Sequence, residues 1–110
     1  MRKQLLLMLP LLALQISCSY SKSEFYVKND SGGVVHDVTV SDRKQTWKLG
    51  DIPAGESVEF VGHLSGEGGP SISWTANGKR FTDTGCYYTG GAPARGSVLI
   101  VGSKLKFNCQ

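Results

Sequence analysis

Residues 72–81 read Ile72-Ser73-Trp74-Thr75-Ala76-Asn77-Gly78-Lys79-Arg80-Phe81. An Asn-Gly pair sits here between two runs that alternate apolar and polar side chains. Both turn residues tolerate positive φ, which a two-residue type I′ turn requires, so the stretch carries the strongest short-range signal for a β-hairpin. Such a turn also fixes the register. Ala76 should face Lys79, Thr75 should face Arg80, and Trp74 should face Phe81. The last pair brings two aromatic rings to one face, as a sheet with one buried side requires.

The same pattern recurs on both sides of this hairpin at intervals of roughly ten residues, the spacing of an all-β sandwich or barrel. Phe25 and Val27 alternate with Glu24, Tyr26 and Lys28, and Asn29 to Gly33 makes a turn. Val34, His36, Val38 and Val40 share one phase, with Val35, Asp37 and Thr39 in the other. Gln45 to Leu49 is a short strand with Trp47 and Leu49 in phase. Gly50 to Gly55 is a loop, and its Pro53 cannot sit in a central strand. Val58 and Phe60 point one way, and a glycine-rich connection runs from Gly62 to Pro70. Val98 to Val101 and Lys104 to Asn108 flank Gly102-Ser103 as a final hairpin, with Leu105, Phe107 and Cys109 on one face.

Two stretches, "VKNDSGGVVHDVTV" and "WKLGDIPAGESVEF", carry a family resemblance. A strand ends in Asn29, a turn follows at Gly32, and the next strand holds Val38 and Val40. A loop with Gly50, Ile52, Ala54, Gly55, Glu56 and Ser57 then feeds a further strand. This arrangement resembles the immunoglobulin-like adhesion and CARDB-type modules of extracellular proteins. It implies a single immunoglobulin-like β-sandwich of about seven to eight short antiparallel strands across 24–110. The likeness covers about a third of the chain and speaks for the fold rather than for an activity.

The chain opens Met1-Arg2-Lys3 and continues with an apolar run of about 10 to 12 residues, short of the roughly 20 that a membrane span needs. Two positive charges before a short apolar core are the layout of a secretory signal, here 1–17. Ser17 before Cys18 resembles the lipobox of bacterial lipoproteins, which implies cleavage before Cys18 and lipidation of that cysteine. Residues 18–23 would then be the lipidated cysteine and its tether. Two alternatives stay open: an ordinary signal cleavage after Cys18 or Ser19, and survival of Cys18 as a free thiol. Removing Cys18 from the thiol pool leaves Cys86 and Cys109 as an even pair, which argues against the third. Serine rather than aspartate follows Cys18, which by the same resemblance leans toward the outer membrane, facing the periplasm. A secreted or soluble periplasmic protein is the alternative address.

The precursor carries 12 Lys and Arg against 9 Asp and Glu. Without Arg2 and Lys3 the balance is 10 to 9, a net charge of +1. No basic stripe marks one face, so nucleic acid is not an expected partner. About 90 residues make one small domain with a thin core.

Export and a thin core both favour a disulfide between Cys86 and Cys109, closing a loop of about 23 residues and worth about 3 kcal/mol. No ligand spacing of a metal site brings either cysteine together with His36 or His63, so no metal and no cofactor are expected. Ser65, His63 and Asp51 could be gathered into a nucleophile–base–acid set, but no strained Gly-x-Ser-x-Gly turn supports it. Within Gly85 to Gly96, the segment Cys86 to Arg95 is the candidate binding surface, with Tyr87 or Tyr88 and Arg95 as anchors. Adjacent strand residues point to opposite faces, so at least one of the two tyrosines should face solvent, and tyrosine and arginine are favoured at interfaces. The expected function is that of a small non-catalytic envelope lipoprotein that binds a protein partner, in the manner of an inhibitor or immunity protein. A structural accessory subunit of an envelope complex is the alternative, with a secreted unlipidated domain or a small enzyme ranked below it.

Overall fold

A computed structural model describes residues 22–89 and 92–109. The expected signal segment and Cys18 lie outside the described residues. Eight strands follow in order: β1 Ser23–Asn29, β2 Val35–Ser41, β3 Thr46–Ile52, β4 Ser57–Gly62, β5 Ser71–Ala76, β6 Lys79–Thr84, β7 Arg95–Val101 and β8 Lys104–Cys109. They form two four-stranded sheets, with orders β4-β1-β7-β8 and β3-β2-β5-β6. The chain is an all-β sandwich. Among the described residues no helix is long and apolar enough to cross a membrane.

The Asn-Gly hairpin has the register that its turn dictates. Trp74 faces Phe81, Thr75 faces Arg80 and Ala76 faces Lys79. Asn77 and Gly78 both have positive φ, 52° and 77°. The Trp74 and Phe81 ring centroids are 6.0 Å apart. The Trp74 indole N–H also donates to the Gly102 carbonyl across the core at 3.2 Å, which ties the second sheet to the β7–β8 turn of the first. Phe25, Val27, Val38, Val40, Ile52, Phe60, Ile72, Val98 and Ile100 fill the space between the sheets. Phe60 lies between Phe25 and Trp47, with centroids 4.9 and 5.1 Å away.

The two stretches behind the immunoglobulin-like resemblance meet in space. Asn29 is fully buried at the end of β1. Its side-chain amide donates to the Gly33 and Ile52 carbonyls at 2.7 and 2.8 Å and accepts from the Ser31 N–H. Its backbone pairs with Gly55 and Glu56. One side chain therefore fixes both the crossing from β1 to β2 and the loop from β3 to β4.

Three expectations change. β1 and β7 run parallel, Glu24 opposite Arg95 and Val27 opposite Val98, so the strands are not all antiparallel. The long path between them leaves direction to packing rather than to a turn. Secondly, β3 runs on through Gly50 to Ile52, where a loop is expected. Gly50 has φ +84°, and the register shifts there against β2, so the strand kinks and continues, burying Ile52. Thirdly, His36 does not share a face with Val38 and Val40. A bulge at Asp37, φ +50°, inserts an extra residue, turns His36 outward and buries Val35 in place of Val34. The Asp37 N–H donates to Asp51 and its carbonyl accepts from Arg80 at 2.7 Å, and these two bonds hold the bulge.

Candidate functional site

The register places Ser23, Gly62, Gly96 and Cys109 at one end of the first sheet and Ser41, Thr46, Ser71 and Thr84 at the same end of the second. The chain enters the sandwich at this end, here called the tether pole. Three connections cover it: Asp42 to Gln45, His63 to Pro70, and the β6–β7 connection, described over 85–89 and 92–94. The β1–β2 loop and the β5–β6 and β7–β8 turns lie at the far pole.

The tether pole is built around Asp42. Its carboxylate accepts from the N–H groups of Lys44 and Gln45, closing its own turn, and from Ser65 N–H in the next connection at 2.8 Å. Desolvation works against this carboxylate, but the three N–H bonds outweigh it and hold its pKa below the usual value. The Tyr88 hydroxyl donates to the Ser65 carbonyl at 2.8 Å, and Tyr88 exchanges both backbone hydrogen bonds with Gly68. Burial, followed by the nearby Asp42 charge, pushes the Tyr88 hydroxyl pKa up, so it remains a donor at neutral pH. The Gly85 N–H donates to Pro70. Cys86 and Cys109 are joined, their Cα atoms 5.9 Å apart, so the third connection is tied to the end of β8. Ala94 N–H donates to Ser23 Oγ, and Glu24 N–H to the Ala94 carbonyl. Three loops and the entering strand thus form one cross-linked platform.

The expected anchors part company here. Tyr88 is only 4% exposed and belongs to the core, so it presents nothing to a partner. Its hydroxyl is spent on Ser65. Tyr87 is 65% exposed and stands out from the platform. Arg95 lies not in the loop but at the first residue of β7, on the outer face of the first sheet, 3.3 Å from Glu24.

That outer face carries a second group of residues. Glu24 is flanked in register by Val61 of β4 and Arg95 of β7, and Tyr26 by Glu59 and Ser97. Tyr26 is 52% and Val61 43% exposed. The outer face of the second sheet differs. Thr39, Ser41, Ser73 and Thr82 lie outward there, and hydroxyls pair directly between Ser41 and Thr46 and between Ser73 and Thr82, at 2.9 and 2.8 Å. Tyr26 and Val61 went unremarked in the sequence as binding residues. Their outward phase, opposite to Phe25 and Phe60, was the available signal.

The histidines separate as well. His36 Nδ1 lies 3.3 Å from Asp51, both exposed, near the far pole. His63 and Ser65 are in the tether-pole connection, so Asp51 does not converge with them. Among the described residues no three His, Cys, Asp or Glu side chains gather as metal ligands do. The far pole holds an open groove of about 630 Å³ between the β1–β2 loop and the two hairpin turns, with Val34, Phe81 and Val101 in its walls.

No family model matches the chain, and no curated protein matches it. A solved NMR structure of a protein from Eubacterium rectale superposes with a TM-score of 0.60 over 80% of this chain and 87% of that one, at 13% identity. A likeness at that identity concerns the fold alone. It supports the two-sheet architecture and leaves the site to be argued from its residues.

Proposed function

We propose that the chain is a bacterial cell-envelope lipoprotein, anchored through Cys18, whose sandwich is a non-catalytic module that binds a protein partner through the outer face of its first sheet. The observation that carries this reading is the placement of Val61, Tyr26 and Arg95 on three adjacent strands of one exposed face. Tyrosine and arginine are the residue types that dominate binding energy at interfaces, and a rigid sheet presents them at little entropic cost. The Arg95–Glu24 pair flanks Tyr26 and can be exchanged for charged groups on a partner. A partner-specific inhibitor or immunity protein fits a single small module of this kind.

The test is capture of the partner from an envelope extract, followed by affinity measurements with Tyr26→Ala, Val61→Ala and Arg95→Ala. At least one substitution should weaken binding by more than about 1 kcal/mol while leaving the unfolding midpoint in place. Unchanged affinity for all three would place the interface elsewhere.

A further inference from the structure

We infer that the tether-pole platform rests against an anionic bilayer surface, with Tyr87 at the level of the lipid headgroups and Arg43 and Lys44 directed at their phosphates. This rests on the proposed lipidation of Cys18. Only Ser19 to Lys22 separate that cysteine from Ser23, the first residue of the sandwich. A fully extended chain covers at most about 3.6 Å per residue, so the tether spans no more than about 18 Å. The platform is the part of the fold at the end of that tether. The far pole stands about another 23 Å away, the length of seven strand residues.

The chemistry of the platform fits such a surface. Tyr87 is the most exposed large hydrophobic side chain among the described residues. Tyrosine suits the boundary between lipid and water because its ring is apolar and its hydroxyl polar. Arg43 and Lys44 are exposed at the tip of the β2–β3 turn, and Lys22 is exposed where the chain enters. Two of the pole's carboxylates are already engaged: Asp42 by three backbone N–H groups, Glu24 by Arg95. Glu24 and Arg95 cancel, while Asp42 keeps its charge because backbone N–H groups are neutral, so Lys22, Arg43 and Lys44 stand against Asp42 and Glu67, an excess of one positive charge toward anionic lipid. The cross-links through Asp42, Tyr88 and the Cys86–Cys109 bond hold these groups in place before contact. With this pole down, the outer face of the first sheet stands as a side wall and stays open to a partner.

The experiment uses the full processed protein in nanodiscs containing phosphatidylglycerol, with a gadolinium chelate on a fraction of the headgroups. Backbone amide signals are followed by NMR, and intact mass reports acylation of Cys18. Signals of Arg43, Lys44, Gly68 and Tyr87 should be lost, while those of Asn77, Gly78 and Gly102 persist. A triple variant, Arg43→Gln, Lys44→Gln and Tyr87→Ala, should remain acylated and recover the platform signals. Protein without acyl mass would overturn both the lipoprotein reading and this inference. Acylated protein with even broadening at both poles, or with broadening centred on Tyr26 and Lys28, would overturn the platform contact alone. So would a triple variant that broadens as the wild type does, since the tether by itself would then set the pose.

Discussion

At Asp42, one carboxylate accepts three backbone N–H groups from two connections. Replacing it with alanine leaves those donors without an acceptor and should cost about 1 to 2 kcal/mol, as loss of a helix cap does. The sign with pH follows from the lowered pKa. A carboxylate that is more acidic in the folded state contributes its stability fully above the unfolded pKa, near 3.8, and loses it as pH falls through the folded value. The gap in urea midpoint between wild type and Asp42→Ala should therefore be constant at neutral pH and shrink below about pH 4. A gap that widens on acidification would contradict the role given to Asp42. At Tyr87 and Tyr88 the sequence allowed the statement that one ring faces out. Which one does so depends on the bridge to Gly68 and the bond to Ser65, contacts from a distant loop that local alternation does not encode.

The hairpins show where local chemistry suffices. The β5–β6 register follows from two turn residues, and Asn77 in the left-handed region is its cost centre. Asn77→Val should destabilise by about 1 to 2 kcal/mol, whereas Asn77→Gly should be near neutral, both read from thermal unfolding. The β2–β3 pair shows where local chemistry fails. Strict alternation from Val34 to Val40 ignores the extra residue at Asp37, and that bulge is held by Asp51 and Arg80 from other strands. β6 and β8, at the edges of their sheets, are joined by the Asp83 carboxylate, which accepts the Leu105 N–H at 3.0 Å. The covalent link between the third connection and β8 is the strongest tie at element scale. Cys86→Ala should lower stability by about 2 to 4 kcal/mol and speed amide exchange at Tyr88 and Thr89. Unaltered exchange there would mean that the loop is held by its hydrogen bonds alone.

For the whole molecule, composition and turn spacing sufficed for an all-β sandwich, because period-two burial is a local property of each strand. The pairing of β1 with β7 in parallel was not legible, since no turn connects them. The candidate site was legible only in part for the same reason. Arg95 and Tyr87 could be picked by residue type, but Arg95 gains its neighbour Glu24, and comes onto one face with Tyr26 and Val61, only through strand pairing across the sheet. The topology divides the molecule into a cross-linked pole at the chain's entry, an amphipathic face with Tyr26 near its centre, and a hydroxyl-lined face opposite. The central claim is that the amphipathic face recognises a protein partner in the cell envelope. Photo-crosslinking in intact cells tests it most directly, with p-benzoylphenylalanine placed at position 26 in one strain and at position 73, on the hydroxyl face, in another. The account predicts a discrete protein adduct from position 26, weakened by Arg95→Ala, and none from position 73. Adducts from position 73 alone, or from neither position, would contradict it.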